Sequence, residues 1–157
     1  MNRLDLLALG AALEADLAAA ERHRELAVRF LPRLGEAGAD TVVAGSLHHY
    51  YSAIEALVER AMRAFGHALP AGPRWHAELL TLAATDIAGT RPALLGPTSL
   101  WALHELLAFR HFFRHAYAVD WDVERLRRNV EIMTGAAAPV RDDVAGFVTT
   151  LREAAVT

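Results

Sequence analysis

Apolar residues recur along this 157-residue chain at the spacing of an α-helix, with polar residues between them. The clearest run lies in the second predicted helix, where apolar side chains follow the i, i+3, i+4 rhythm. That helix is expected to start with a cap from Asp40 or Thr41 and to end near Phe65, before Gly66. The run comprises Val43, Leu47, Tyr50, Tyr51, Ile54, Leu57, Val58, Ala61, Met62 and Phe65.

Glycine and proline mark the ends of the other predicted helices. Asn2 can cap a first helix that runs to about Leu34, where glycines close it. The stretch HALPAGP is predicted to be a turn, and Pro73 suits the first position of a third helix. The stretch AGTRPALLGP is predicted to be the loop that follows this helix.

The second half of the chain is predicted to contain three more helices. Pro97 and Thr98 open the fourth, which is expected to fray at residues 117–119, because residues 120–122 are typical of a capped, acidic first turn. After the stretch MTGAAAPV, a last helix is expected from about Val140 to Ala155. Short connections between antiparallel neighbours predict one all-α domain over residues 1–157, a bundle of five to six helices.

Composition restricts the chemistry and the location that this chain can have. The absence of cysteine excludes disulfides, thiolate metal sites and a cysteine nucleophile. The net charge of -3 argues against nonspecific coating of nucleic acid. Acidic residues interrupt the apolar N-terminal stretch, so a cytoplasmic location without membrane association is expected.

Every one of the 16 basic residues is arginine. GC-rich coding would produce this bias by itself, and it is a simpler explanation than selection for anion binding. An anion bound by this chain would nevertheless be met by planar guanidinium groups that donate two parallel hydrogen bonds.

The segment RHFFRHAY, residues 110–117, concentrates the candidate chemistry on the fourth predicted helix. At about 100° per residue, Arg110, Arg114 and Tyr117 fall within roughly 60° of one another. A neighbouring arc of the helix carries His104, His111 and His115. The arc expected to face the core carries Ala102, Leu106, Phe109, Phe112, Phe113 and Ala116.

Leucines on the polar side of this helix predict a second covering surface. Leu100, Leu103 and Leu107 lie among the charged groups, so a second copy of the chain is expected to pack there. On a straight helix, Arg110 and His115 point about 140° apart, too far for one phosphate. Either the helix loosens at this point, or two subunits combine their groups in one site.

A metal site is one interpretation of the three histidines. His111 and His115 are four residues apart, and His104 precedes His111 by one heptad, so the imidazoles could face one ion. Arginines at 110 and 114 would place fixed positive charge beside that ion, however, and the HExxH pattern is missing. No metal and no other cofactor is therefore expected.

Phosphate chemistry fits the same residues better. An arginine holds a phosphodiester and offsets the charge of its transition state, and a histidine moves a proton from a ribose 2′-hydroxyl or to a leaving oxygen. Arginine and histidine side chains of this segment would suffice for cleaving RNA without a metal, because the substrate supplies its own nucleophile. The alternative for each residue taken singly is an ordinary solvated helix surface.

The second predicted helix presents a polar face that could support this site. His48, Glu55 and Glu59 project within roughly 40° of one another. Glu55 could pair with Arg110 and hold it in place. An ordinary exposed stripe is the alternative interpretation of this face.

The motif R-x4-H-x-Y, here Arg110-HFFR-His115-Ala116-Tyr117 followed by AVDWDVERL, resembles the HepT-like branch of the HEPN superfamily. The stretches SLHHYYSAIEALVERAMRAFG, RWHAELL and RPALLGP are similar to that branch in their order and spacing. The likeness covers roughly residues 40 to 135.

The resemblance implies a HEPN-type homodimer with a ribonuclease site where the two motifs meet. Arg110 and His115 would be catalytic, and the substrate would be RNA, with no DNA expected. Such proteins are typically toxins that pair with a minimal nucleotidyltransferase (MNT) antitoxin, which silences them by adenylylation of the motif tyrosine, here Tyr117. Arg114, at a variable place inside the motif, is added as an RNA-binding residue on its charge alone, and His111 is added beside it. The alternative is a non-catalytic subunit that docks a nucleotidyltransferase.

Overall fold

The computed structural model describes residues 1–115 and 120–156, and at His115 it describes the backbone alone. This part of the chain is a helical bundle with five α-helices and no strand, and a single 3-10 turn, Leu31–Arg33, follows the first helix. The expected all-α fold is thus confirmed. The α-helices are α1 (Arg3–Phe30), α2 (Ala39–Ala64), α3 (Trp75–Ala83), α4 (Pro97–His115) and α5 (Val123–Ala154).

The core lies where α1, α2 and α5 pack together, with α4 against α2 and α5 and the short α3 between α2 and α4. Apolar side chains from all five helices form one buried cluster, which includes the rings of Tyr50 and Tyr51. The periodic run in α2 supplies much of that cluster, as its spacing predicts. Among the described residues, no helix combines the length and the apolar character needed to span a membrane.

Two predicted helix starts are confirmed at the level of single hydrogen bonds. The Asn2 side chain accepts from the Asp5 backbone N–H at 2.9 Å, and the Asp5 carboxylate accepts from the Asn2 N–H at 3.1 Å. At the start of α5, the Asp122 carboxylate accepts from the Arg125 N–H at 3.1 Å. Each cap satisfies donors that the first helical turn leaves without a partner.

Two other predicted starts are wrong. The residue before α2 is Gly38, with a φ of 82° that favours glycine, and no side chain caps this helix. The Asp40 carboxylate instead accepts from the Gly35 backbone N–H at 2.8 Å, so it is used by the preceding loop. Pro73 lies in the turn before α3, which begins two residues later at Trp75.

The predicted break between a fifth and a sixth helix is also wrong, since α5 runs unbroken through Pro139. A proline removes one backbone donor and so costs a helix one internal hydrogen bond. Buried residues on both sides of it, Ala136, Ala137 and Val140, anchor the helix to the core. Their packing keeps the segment helical where the local sequence favours a break.

The leucines that predicted a second covering surface on α4 are buried by the chain itself. Leu103 and Leu107 belong to the core cluster, and Leu100 packs against it. The physical reason is that α4 contacts α2, α3 and α5, so a single chain covers it from several sides. The large apolar side chain that α4 does expose is Trp101, with 58% of its surface accessible.

Two polar residues, Asp143 and Arg91, fix α4 in relation to its neighbours. The Asp143 carboxylate on α5 accepts from the Gly96 backbone N–H at 2.8 Å and from the Ser99 hydroxyl at 2.5 Å, which ties down the start of α4. In the loop before α4, the Arg91 guanidinium donates to the carbonyls of Leu82, Thr85 and Pro92 and to His67 Nε2. The end of α3 and the start of α4 are therefore held together.

Candidate functional site

Three helices bring polar side chains together around Arg110. The Arg110 guanidinium comes from the C-terminal half of α4, Glu55 from the middle of α2, and His76 from the first turn of α3. Arg110 Nη1 lies 2.9 Å from His76 Nε2, and Arg110 Nη2 lies 3.5 Å from Glu55 Oε1. The three side chains form a continuous chain of polar contacts across the helix interfaces.

Glu55 is the buried anion of this cluster, with 6% of its surface exposed. Its Oε2 accepts from the Tyr51 hydroxyl at 3.0 Å, one helical turn earlier, and contacts His76 Nδ1 at 2.5 Å. Burial, and secondly the charge of Glu55, raise the pKa of Tyr51, so the phenol stays protonated and remains a donor. A buried carboxylate needs such partners, because removing its charge from water is costly.

The protonation of His76 follows from its two neighbours. Arginine can only donate hydrogen bonds, so the Nε2 atom that faces Arg110 must be the acceptor. Nδ1 faces the Glu55 carboxylate and therefore carries the proton. His76 is thus a neutral imidazole with its proton on Nδ1, held under the Trp75 ring at a centroid distance of 3.7 Å.

Arg110 keeps hydrogen-bonding capacity after these contacts are made. Its side chain is 12% exposed, its Cζ lies 5.7 Å from the centre of the Tyr51 ring, and its Nε–H is buried with no partner among the described residues. A buried donor left without an acceptor costs about 1–3 kcal/mol. The guanidinium of Arg110 therefore has hydrogen-bonding capacity that its partners among the described residues do not use.

His48 borders the cluster on the α2 side and stacks on Phe113 at a centroid distance of 4.7 Å. Burial lowers the pKa of His48, and the positive charges of His49, Arg110 and Arg114 lower it further. The imidazole is consequently neutral at neutral pH. Its Nδ1 atom is buried and has no hydrogen-bond partner in the part of the chain that is described.

The predicted pairing of Glu55 with Arg110 is confirmed. The predicted polar face of α2 divides in two, because Glu55 is buried in the cluster while Glu59 is partly exposed and contacts Arg63 at 3.4 Å. An ordinary exposed stripe therefore does not describe Glu55. The alternative of an ordinary exposed stripe fits Glu59, one turn further along α2.

The remaining predicted site residues are near the end of α4. Arg114 and His111 are exposed, and the His111 ring lies edge-on to His76 at 5.7 Å. The His115 side chain and Tyr117 lie outside the described residues. The predicted roles of these four residues stay predictions.

His76 is not among the site residues predicted from the sequence, where its segment RWHAELL contributes to the family resemblance alone. A signal was available in that segment. His76 shares a buried helix face with Leu79, Leu80 and Ala83, at the i, i+3, i+4, i+7 spacing of core residues. A titratable side chain at such a position needs a polar partner inside the protein, and here it has two.

No three or more histidines, aspartates and glutamates of the described residues are placed so that they could hold a metal ion. The described residues do not include the His115 side chain. The cluster at Arg110 instead combines one buried carboxylate with one cation and one neutral imidazole. Its chemistry suits the recognition of an anion.

Comparison with known proteins places this cluster within one family. A family model described as HepT-like protein matches residues 42–151, which include Glu55, His76 and Arg110. No curated protein matches the chain, and no solved structure matches it.

Proposed function

The chain belongs to the HepT-like family, and we propose that it is a metal-independent endoribonuclease toxin of a HEPN/MNT toxin–antitoxin pair. The observation that carries this proposal is the state of Arg110, a mostly buried cation with an unpaired N–H next to exposed basic residues. The family gives the broad role of a HEPN-type toxin or a related protein. The proposal adds three points to this role: cleavage of RNA, a nucleotidyltransferase partner, and adenylylation of Tyr117.

Arg110 has the donors that a phosphodiester requires. A guanidinium carries five N–H donors, and the contacts with His76 and Glu55 occupy at most two of them. The second N–H on each of Nη1 and Nη2 can meet the non-bridging oxygens of a phosphate, with the nearby positive charge of Arg114 and the ring of His111 to bind the adjoining backbone. Arg110 would bind the phosphate that reacts.

The proposed reaction is an internal transfer on RNA. The ribose 2′-oxygen attacks the adjacent phosphorus, the bond from phosphorus to the 5′-oxygen breaks, and a 2′,3′-cyclic phosphate remains. His115 would transfer one proton, either from the 2′-hydroxyl or to the leaving 5′-oxygen, and water would carry out the other transfer. Because Arg110 and His115 are five residues apart, the helical period predicts that they point about 140° apart, and we propose that two copies of the chain share each site.

RNA cleavage in excess EDTA tests this function directly. Wild-type protein should cleave RNA under these conditions, and Arg110→Ala and His115→Ala should each lower the rate at least about 100-fold. Arg63→Ala is the matched control, because Arg63 is an exposed arginine on α2 with one weak ion pair. Failure of the unmodified, dimeric wild-type protein to cleave RNA would contradict the proposal.

We further propose that a nucleotidyltransferase silences the protein by adding AMP to Tyr117. The added group is bulky and negative, and it would lie within a helical turn of Arg114, where it would occupy positive charge and repel RNA. Incubation with such a partner, ATP and magnesium should add the mass of AMP, as intact-protein mass spectrometry would show. Tyr117→Phe should escape modification and stay active, and modification of another residue would contradict this part of the proposal.

A non-catalytic subunit that docks a nucleotidyltransferase is the second candidate. The observation in its favour is that Arg110 already has internal partners, Glu55 and His76, and so has a structural role without any substrate. In that case RNA stays intact, while binding to the nucleotidyltransferase is unaffected by Arg110→Lys. The cleavage assay and a binding measurement together distinguish the two functions.

A further inference from the structure

We propose that His76 is a positioning residue, which holds Arg110 in place while its imidazole is neutral and releases Arg110 when the imidazole takes up a second proton. The contact between His76 and Arg110 does not depend on what the protein does. Its consequence for RNA cleavage rests on the proposed function.

The contact is built into the packing of three helices. His76 is 5% exposed, its ring is covered by Trp75, and its Nδ1 is bound to the Glu55 carboxylate on α2. These contacts leave Nε2 directed at Arg110 Nη1 on α4, at 2.9 Å. Because the ring is fixed on both sides, Nε2 presents a lone pair in one defined direction, and the guanidinium is oriented by it.

One proton arrangement of His76 satisfies both neighbours. With the proton on Nδ1, the imidazole donates to Glu55 and accepts from Arg110. A second proton, on Nε2, would place two donors and two positive charges against each other at this contact. Arg110 would then lose its closer partner and keep the longer contact with Glu55, at 3.5 Å.

The groups around His76 determine how its protonation acts. On α2, the Glu55 carboxylate attracts an imidazolium, and the Tyr51 phenol stays neutral because its pKa is raised by burial and by Glu55. On α4, Arg110 repels an imidazolium, and the exposed His111 ring adds to that repulsion when it is protonated. Glu55 therefore retains the imidazolium in its place while Arg110 is displaced.

Two substitutions of His76 separate positioning from a general structural role. His76→Gln keeps a donor for Glu55 and an acceptor for Arg110 on one planar group, but it does not titrate. His76→Leu is apolar and removes both hydrogen bonds. The Gln variant should therefore keep Arg110 oriented at every pH at which the protein is folded, and the Leu variant at none.

The first measurement is made on the wild-type protein with labelled nitrogen, so it does not depend on a variant that folds. At neutral pH, nitrogen chemical shifts of His76 should show a proton on Nδ1 and a lone pair on Nε2. As the pH falls, the protected guanidinium signal of Arg110, identified by its absence in Arg110→Lys, should disappear together with protonation of His76. A proton on Nε2 at neutral pH would overturn the proposal, and so would an Arg110 signal that is unchanged by protonation of His76.

The second measurement follows the variants. The Arg110 signal should persist through the acid range in His76→Gln and should be absent in His76→Leu, while circular dichroism monitors the fold. Where the wild type cleaves RNA, His76→Leu should lower kcat about 10- to 100-fold, and His76→Gln should restore part of it and lose the acid limb of the pH profile. An acid limb that survives in His76→Gln would overturn the proposal, whereas absence of wild-type cleavage would refute the nuclease and leave the spectroscopic result to decide on His76.

Discussion

At the scale of single residues, Glu55 connects three helices through one carboxylate. Its two oxygens contact Tyr51 on α2, His76 on α3 and Arg110 on α4. The carboxylate is almost fully buried, so its charge is stabilised by these partners rather than by water. Removing it would leave the Arg110 cation without its counter-charge, which is the more costly way to break a buried pair.

Glu55→Ala is therefore expected to lower the free energy of unfolding by about 3 kcal/mol, measured by urea denaturation. Glu59→Ala is the matched control, because Glu59 lies one turn along the same helix and its ion pair among the described residues is with the exposed Arg63. The control should change the free energy of unfolding by less than about 0.5 kcal/mol.

A double-mutant cycle with Arg110→Ala then isolates the interaction of the two charges. The double variant should be more stable than the sum of the two single losses implies, because the second substitution removes the cation that the first leaves unpaired. Additive losses would mean that Arg110 turns to solvent without cost, and that Glu55 does not hold it.

At the scale of helices, α5 shows how packing overrides a local signal. Pro139 lies inside this 32-residue helix, so its missing N–H leaves the carbonyl of Gly135 without the usual hydrogen bond. Buried residues before and after the proline keep both halves of α5 on the core. Because α5 also holds the start of α4 through Asp143, its continuity contributes to the position of Arg110.

Pro139→Ala should restore the missing hydrogen bond and raise the free energy of unfolding by about 1–3 kcal/mol, which thermal unfolding would detect as a higher Tm. Gly146→Ala, in the same helix with open space around the added Cβ, serves as the comparison and should add about 1 kcal/mol. A lower Tm for Pro139→Ala alone would show that the packing of α5 requires the proline.

At the scale of the whole molecule, the question is whether one chain or two chains supply the proposed catalytic residues, Arg110 and His115. The leucines on α4 no longer argue for a dimer, since the chain buries them itself. The proposed dimer rests on the family and on the five-residue spacing of Arg110 and His115, which the helical period predicts to point about 140° apart. A shared site predicts that Arg110 of one chain acts together with His115 of the second chain.

Mixing Arg110→Ala with His115→Ala protein tests the shared site. After the subunits exchange, activity should return to about a quarter of the wild-type level, because roughly half of the dimers are mixed and each of these contains one intact site. Light scattering should show twice the 17.1 kDa chain mass. Two active single variants, or an inactive mixture of confirmed mixed dimers, would count against a site that combines two chains.

The sequence by itself determined the features that depend on neighbours along the chain. The helical period located the helices, although it divided α5 in two near Pro139, and short-range polar patterns identified the cap at Asn2 and a capped start within residues 120–122, because these bonds form within one turn. The pairing of Glu55 with Arg110 was one of two interpretations of the polar face of α2, and the structure decided between them.

Only the tertiary structure decided which side chains meet between helices. It turned Arg110 inward to His76, a residue 34 positions earlier in the chain, and it buried Leu103 and Leu107 against the chain's own helices. It also kept α5 helical through Pro139. Each of these outcomes depends on the burial of side chains from distant segments, whose free energy exceeds the local preferences that the sequence displays.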